Sequence, residues 1–144
     1  MTSRRRAREE ALKILFRLDL TGESAEEAIA DATAEAGIDA QAKDFVRDLC
    51  TGVAAMTAEL DTMLSRFTTD WTSERLAATD RSILRMAAYE IVYSDAVPVA
   101  VAINEAVELA KKFGTEASAR FVNGVLGSLA KANEAGELNQ KAQR

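Results

Sequence analysis

The sequence predicts an all-α protein, and three observations carry that prediction. Only seven glycines and one proline interrupt 144 residues in which Ala, Leu and Glu are plentiful, and these are strong helix formers. Apolar residues recur at spacings of three and four, the signature of a helix with one buried face. Alternating β-branched runs, which would mark strands, are almost absent. The hydrophobic fraction, 48%, is ordinary for a globular protein. The length suits one domain or two small, packed subdomains with a proper core.

The first helix is expected from about Ser3 to Leu20. Ser3 is the N-cap, and Ala7, Ala11, Ile14, Leu15 and Leu18 form a stripe widened by Leu12 and Phe16. Thr21 and Gly22 end it. Ser24 with Glu27 three residues on reads as a capping box for a peripheral, alanine-rich helix from Ser24 to Ala36, ended by Gly37. The longest helix is expected from Asp39 or Ala40 to Phe67. Its seam of Val46, Leu49, Val53, Met56, Leu60, Met63 and Phe67 is heptad-like and reads as the spine of a bundle rather than a dimeric coiled coil. Roughly 28 residues would span about 40 Å. Gly52 lies inside it and suggests a close helix crossing. A turn from Thr68 to Ser73 holds Trp71, and a short helical turn follows near Glu74 to Ala77. Thr79 or Asp80 then caps a helix running to Tyr93, with Leu84, Ala87, Ala88 and Ile91 inward and Arg81, Arg85 and Glu90 outward or paired.

The last two helices form a hairpin. Pro98 suits a first turn, where its missing N–H costs nothing. Ile103, Val107 and Ala110, with Ala106 and Leu109 beside them, form one stripe. Lys111 and Lys112 complement the helix dipole, and Gly114 reads as a left-handed C-cap. Thr115 is expected to cap the next helix, with Glu116 in its first turn and Phe121, Val122, Val125, Leu126 and Leu129 as its stripe. The tally is six good helices and one short one, in two packed bundles of about 3–67 and 68–131 that share the long helix. Together they form one helical domain, 1–133, followed by a disordered polar tail, 134–144.

Charge is unevenly placed. Residues 1–17 hold Arg4, Arg5, Arg6, Arg8, Lys13 and Arg17 against Glu9 and Glu10, a net of +4 that leaves −9 on the remainder of a chain whose total is −5. Four arginines in the first turns of a helix oppose its dipole, at about 0.3–1 kcal/mol each before screening. They do little for helix stability, so a phosphate ligand competes on even terms with a merely solvated terminus. There is no histidine and one cysteine, Cys50. That removes the commonest general base, the usual nucleophile systems and most zinc sites. No Gly-rich phosphate loop occurs. Catalysis, cofactor and metal are therefore not expected, and a binding protein is. No apolar run is long enough to span a membrane, no secretory signal is evident, and the lone cysteine suits a reducing cytoplasm.

The stretch VAINEAVELAKKFG followed by FVNGVL closely resembles the NusB family of bacterial transcription antitermination factors, as do RRRAREEALKILF, FVRDLCTGV and DRSILRMAAYEIVY. They lie in family order from Ser3 to Leu129. The resemblance implies a NusB-like fold of two three-helix bundles, and binding of boxA-type single-stranded RNA together with NusE, a small-subunit ribosomal protein. It further implies loading onto the RNA polymerase antitermination complex on ribosomal RNA operons. It implies phosphate contacts from Arg4, Arg5, Arg6 and Arg8, with Lys111 and Arg120 adding charge. Phe121 would stack on a base and Asn123 read a base edge. Asp80, Arg81 and Tyr89 lie on the segment implied to meet NusE. Each has a structural alternative: Phe121 and Tyr89 suit a core, and Asn123–Gly124 suits a tight helix contact. Ala117 and Arg120 depart from the family pattern, which commonly has an acidic residue and a lysine there. Two other classes remain open: the accessory domain of a ribosomal RNA cytosine methyltransferase, expected only in a longer chain, and a helical adaptor or homodimer without specific RNA binding.

Overall fold

The computed structural model describes residues 1–138. Its seven helices are α1 (Arg4–Thr21), α2 (Ala25–Glu35), α3 (Ala40–Ala55), α4 (Thr57–Leu64), α5 (Ala78–Tyr93), α6 (Val99–Phe113) and α7 (Ser118–Glu134), with no strand among the described residues. The chain divides into two compact units, one of Met1–Ala55 and one that begins at Met56.

In the first unit α1, α2 and α3 pack against one another. Ser3 caps α1 as expected, its Oγ accepting the Arg6 N–H at 3.0 Å. Gly22 ends the helix at φ 68°, and its N–H bonds the Leu18 carbonyl. Ala7, Ala11, Leu12, Ile14 and Leu15 are buried, and so are Ala28, Ile29, Val46, Leu49, Cys50 and Val53. Ser24 stands at the N-cap of α2 but makes no side-chain cap bond, so the capping box is not formed. Cys50 donates to the Ala11 carbonyl at 3.6 Å, and burial pushes its thiol up to about 12. It is a small core residue.

In the second unit α5 is central, packing against α4, α6 and α7, while α6 and α7 pair as a hairpin. Most of α5 is buried, including Ile83, Leu84, Met86, Ala87, Ala88, Ile91 and Val92. The contact face of α6 is mostly alanine: Ala102, Ala106 and Ala110 are buried with Leu109, and Ile103 and Val107 are half-buried at its flanks. In α7, Val122, Val125, Leu126 and Leu129 are buried as expected.

Three expectations are corrected. The long helix from Asp39 to Phe67 is two helices: Met56, at φ −109° and ψ 14°, interrupts it between α3 and α4. The seam therefore divides, with Val46, Leu49 and Val53 on α3 and Leu60 and Met63 on α4. Glu74 and Arg75 form a single turn, closed by the Leu76 N–H on the Ser73 carbonyl at 3.1 Å, in place of the short helix counted there. Finally, the segment placed in a polar tail from residue 134 begins with folded structure. The Gly136 N–H bonds the Asn133 carbonyl and the Glu137 N–H the Ala132 carbonyl, with Gly136 at φ 77°. This paired pattern satisfies the last carbonyls of α7, and Leu138 is buried beyond it. Residues 139–144 of that expected tail lie outside the described residues.

Candidate nucleic-acid and partner surfaces

The candidate residues fall on both units. On the first, the N-terminal arm is held rather than loose. The Thr2 N–H donates to Asp39 Oδ2 at 2.7 Å, and the Asp39 N–H donates to the Thr2 hydroxyl at 3.0 Å. Asp39 Oδ1 also accepts the Ala42 N–H at 2.9 Å, capping α3. The backbone bonds from Thr2 and then Ala42 hold the Asp39 carboxyl below its usual range. A depressed folded value means that this contribution is complete above the unfolded pKa near ~3.9. It is lost as pH falls through the folded value. Protection of the Ala42 amide against hydrogen exchange is therefore expected to weaken on acidification below about pH 4. Asp39→Ala should show weak protection already at neutral pH, and equal protection in the two proteins would refute the clasp.

The four arginines of the arm have separate environments. Arg4, Arg5 and Arg6 are exposed, whereas Arg8 is buried at 4% relative exposure. Arg6 donates through Nε to Glu10 at 3.2 Å and through Nη2 to the Ala36 carbonyl at 3.2 Å. Ala36 is the C-cap of α2, so this cation sits at a negative helix end. The Arg4 guanidinium carbon lies 4.2 Å from the centroid of Phe45, and that of Arg8 lies 5.3 Å from it. Phe45 is half-buried on α3. Sequence reading missed it, because nothing local sets this phenylalanine apart from a seam residue.

On the second unit, Lys111 lies in the last turn of α6 and is exposed, 3.5 Å from Glu108. Arg120, Phe121 and Asn123 lie in the first two turns of α7, with Arg120 and Asn123 exposed and Phe121 half-buried. Gly124 is exposed too, and a Cβ there would meet nothing within 4 Å. It is not a tight helix contact.

The joint before α7 has its own logic. Gly114 is extended, at φ −98° and ψ −166°, so left-handed geometry is not why glycine stands there. A Cβ would lie 2.5 Å from Ser118 Oγ, 2.6 Å from Ser118 Cβ and 2.8 Å from the Ala110 carbonyl oxygen. Ser118 folds back into that space, accepting the Thr115 N–H at 2.9 Å and donating to Asp80 Oδ2 at 3.1 Å. Thr115 is thus not the cap of α7, which begins at Ser118.

Asp80 is buried in the first turn of α5 and makes no cap. Its Oδ1 has no partner among the described residues. The structure thereby joins Asp80 directly to the start of the helix that bears Arg120, Phe121 and Asn123. Arg81 turns toward the Trp71 segment, its Nη2 3.4 Å from the Trp71 carbonyl and its guanidinium 5.9 Å from the indole. Arg85 forms a bidentate pair with Asp61 at 2.8 and 3.0 Å. Tyr89 is half-buried, its ring 5.7 Å from that of Tyr93.

The NusB family model matches residues 5–131. The chain belongs to the NusB family. Among curated relatives, the transcription antitermination protein NusB of Desulforudis audaxviator is 43% identical over 131 residues, covering 91% of this chain and 95% of that protein. That of Symbiobacterium thermophilum is 45% identical over 135 residues, covering 88% of each. The solved structure of T. maritima NusB superposes with a TM-score of 0.85 at 34% identity, covering 96% of this chain and 98% of that one. A crystal structure of antitermination factors NusB and NusE with double-stranded RNA matches with a TM-score of 0.82 at 28% identity, over 90% and 96%. The seven-helix fold is thus the NusB fold, and no helix among the described residues is long and apolar enough to cross a membrane.

Proposed function

We propose that this NusB-family chain acts in transcription antitermination by binding boxA-type single-stranded RNA together with NusE, as a cytoplasmic, non-catalytic component of an RNA polymerase complex. The observation that carries the reading is the ordered arginine row at the start of α1, in a chain alike over nearly its whole length to antitermination proteins. Arginine opposes the dipole at this end of a helix, and Arg4 and Arg5 keep their exposure despite the clasped backbone. Phosphate contact accounts for both. On the second unit, half-buried Phe121 and exposed Asn123 offer a π-face and an amide suited to an unstacked base. Lys111 and Arg120 supply charge.

The partner surface is assigned to the α5 segment. Arg81 and Tyr89 are each partly exposed, and Asp80 acts from beneath through Ser118. Arg8, being buried, supports the arm instead of touching phosphate.

A salt titration of binding to a boxA-type RNA and a scrambled control, each with and without NusE, tests this. Tight boxA-selective binding strengthened by NusE is expected, with a log–log salt slope near −0.7 per phosphate contact. Equal weak binding to both RNAs, indifferent to NusE, would reduce the chain to a helical adaptor and overturn the proposal.

A further inference from the structure

The arm poses a physical problem that its own helix does not solve. Arg4 and Arg8 stand one turn apart at the positive end of α1, with no acidic residue in its first turn. Like charges at this spacing repel, and the dipole adds to the cost. An unaided arm of this composition would fray. Yet α1 starts at Arg4, directly after its cap. Phe45 supplies an answer from a different helix. Its ring lies under the Arg4 guanidinium at 4.2 Å and within 5.3 Å of that of Arg8, where the negative face of an aromatic attracts a cation.

We infer that Phe45 is a positioning residue for RNA binding, carrying the Arg4 guanidinium on its face so that the phosphate-binding edge is ordered before RNA arrives. This rests on the arm's role in RNA binding proposed above. Stacking leaves the in-plane N–H donors of a guanidinium available, and those form the fork that grips a phosphate. Arginine tolerates this double use where lysine, a strongly hydrated point charge, does not. The Thr2–Asp39 clasp fixes the backbone just before Arg4, and Asp39 lies six residues ahead of Phe45 on the same chain segment. Backbone and side chain are thus held by neighbouring parts of one element. Ordering the side chain in the free protein removes part of the entropy lost on binding.

The test compares Phe45→Leu, which keeps apolar volume without a π-face, with Phe45→Trp, which strengthens one. In the free wild-type protein the Arg4 side-chain resonances should show ring-current shifts, abolished by Phe45→Leu and kept by Phe45→Trp. Phe45→Leu should weaken boxA-type RNA binding about two- to fivefold with its salt slope unchanged, since every phosphate contact remains. Phe45→Trp should bind at least as well as wild type. In an Arg4→Ala background, where the slope itself shrinks, the further effect of Phe45→Leu should largely vanish. Equal weakening by Leu and Trp would reduce Phe45 to packing. A Leu effect undiminished in the Arg4→Ala background would mean that Phe45 meets RNA itself. Either result overturns the inference, as would absent ring-current shifts. Failure of wild type to bind RNA, with the shifts present, would instead sink the functional reading and this role with it.

Discussion

Gly114→Ala is expected to destabilise the protein by about 1–3 kcal/mol, a fall of several degrees in Tm. The sign is the informative part. At φ −98° and ψ −166° the backbone suits alanine, and such a replacement ordinarily stabilises by about 0.4–1 kcal/mol through the unfolded chain. Here the new methyl would meet Ser118 Oγ at 2.5 Å, its Cβ at 2.6 Å and the Ala110 carbonyl at 2.8 Å. Two of these are a backbone atom and the root of a side chain, neither of which can swing away. Relief requires α7 to shift at its first residue, which stretches the Ser118–Asp80 bond and leaves a buried carboxylate less satisfied. Thermal melts of Gly114→Ala and Gly124→Ala make the check. The second adds a methyl where nothing lies within 4 Å, so helix propensity alone should stabilise it by up to about 1 kcal/mol. A Gly114→Ala protein as stable as wild type would show that the joint is slack. Because Arg120, Phe121 and Asn123 begin two residues beyond Ser118, boxA-type RNA selectivity should fall with stability.

That joint also shows what the sequence could and could not convey. Glycine between two apolar stripes marks a helix end, and the hairpin was legible from that alone. The reason for glycine was not, because the space is taken by a side chain on the next helix. Asp80 illustrates the same limit. Its position at the start of α5 suggested a cap or a partner contact, but its bond goes to Ser118, 38 residues away. The Ser3 cap is legible because capping is a local affair of three residues. The break at Met56 was invisible because the three–four spacing of the seam runs unchanged across it. The spacing reports which residues are buried, not whether one helix or two bury them. The arginine row was plain in the sequence, whereas its division into exposed Arg4 and Arg5, tethered Arg6 and buried Arg8 depends on α2 and α3. Family likeness carried Phe121 and Asn123 to the candidate surface, and Phe45 had no such signal.

Replacing Arg4, Arg5 and Arg6 together with alanine is expected to produce the largest loss of RNA affinity. A charge-assisted hydrogen bond contributes about 1.5–3 kcal/mol, so each lost phosphate contact should weaken binding roughly tenfold or more. If all three touch phosphate, the log–log salt slope should become shallower by about 2, three times the single-strand value of roughly 0.7. The environments predict an unequal division. Arg6 already holds Glu10 and the Ala36 carbonyl, so Arg6→Ala should lower Tm most and change the slope least. Arg4→Ala should change the slope while costing only the stack on Phe45. Arg5→Ala should change the slope, since Arg5 is exposed. The loss should be the same for boxA-type and scrambled RNA, because phosphate contacts position a strand without reading it. Phe121→Ala, by contrast, should erase selectivity while leaving the slope in place. A triple variant with unchanged slope would remove the arm from the RNA surface altogether. Slopes that moved equally for all three single variants would mean that Arg6 leaves Glu10 and Ala36 when RNA binds.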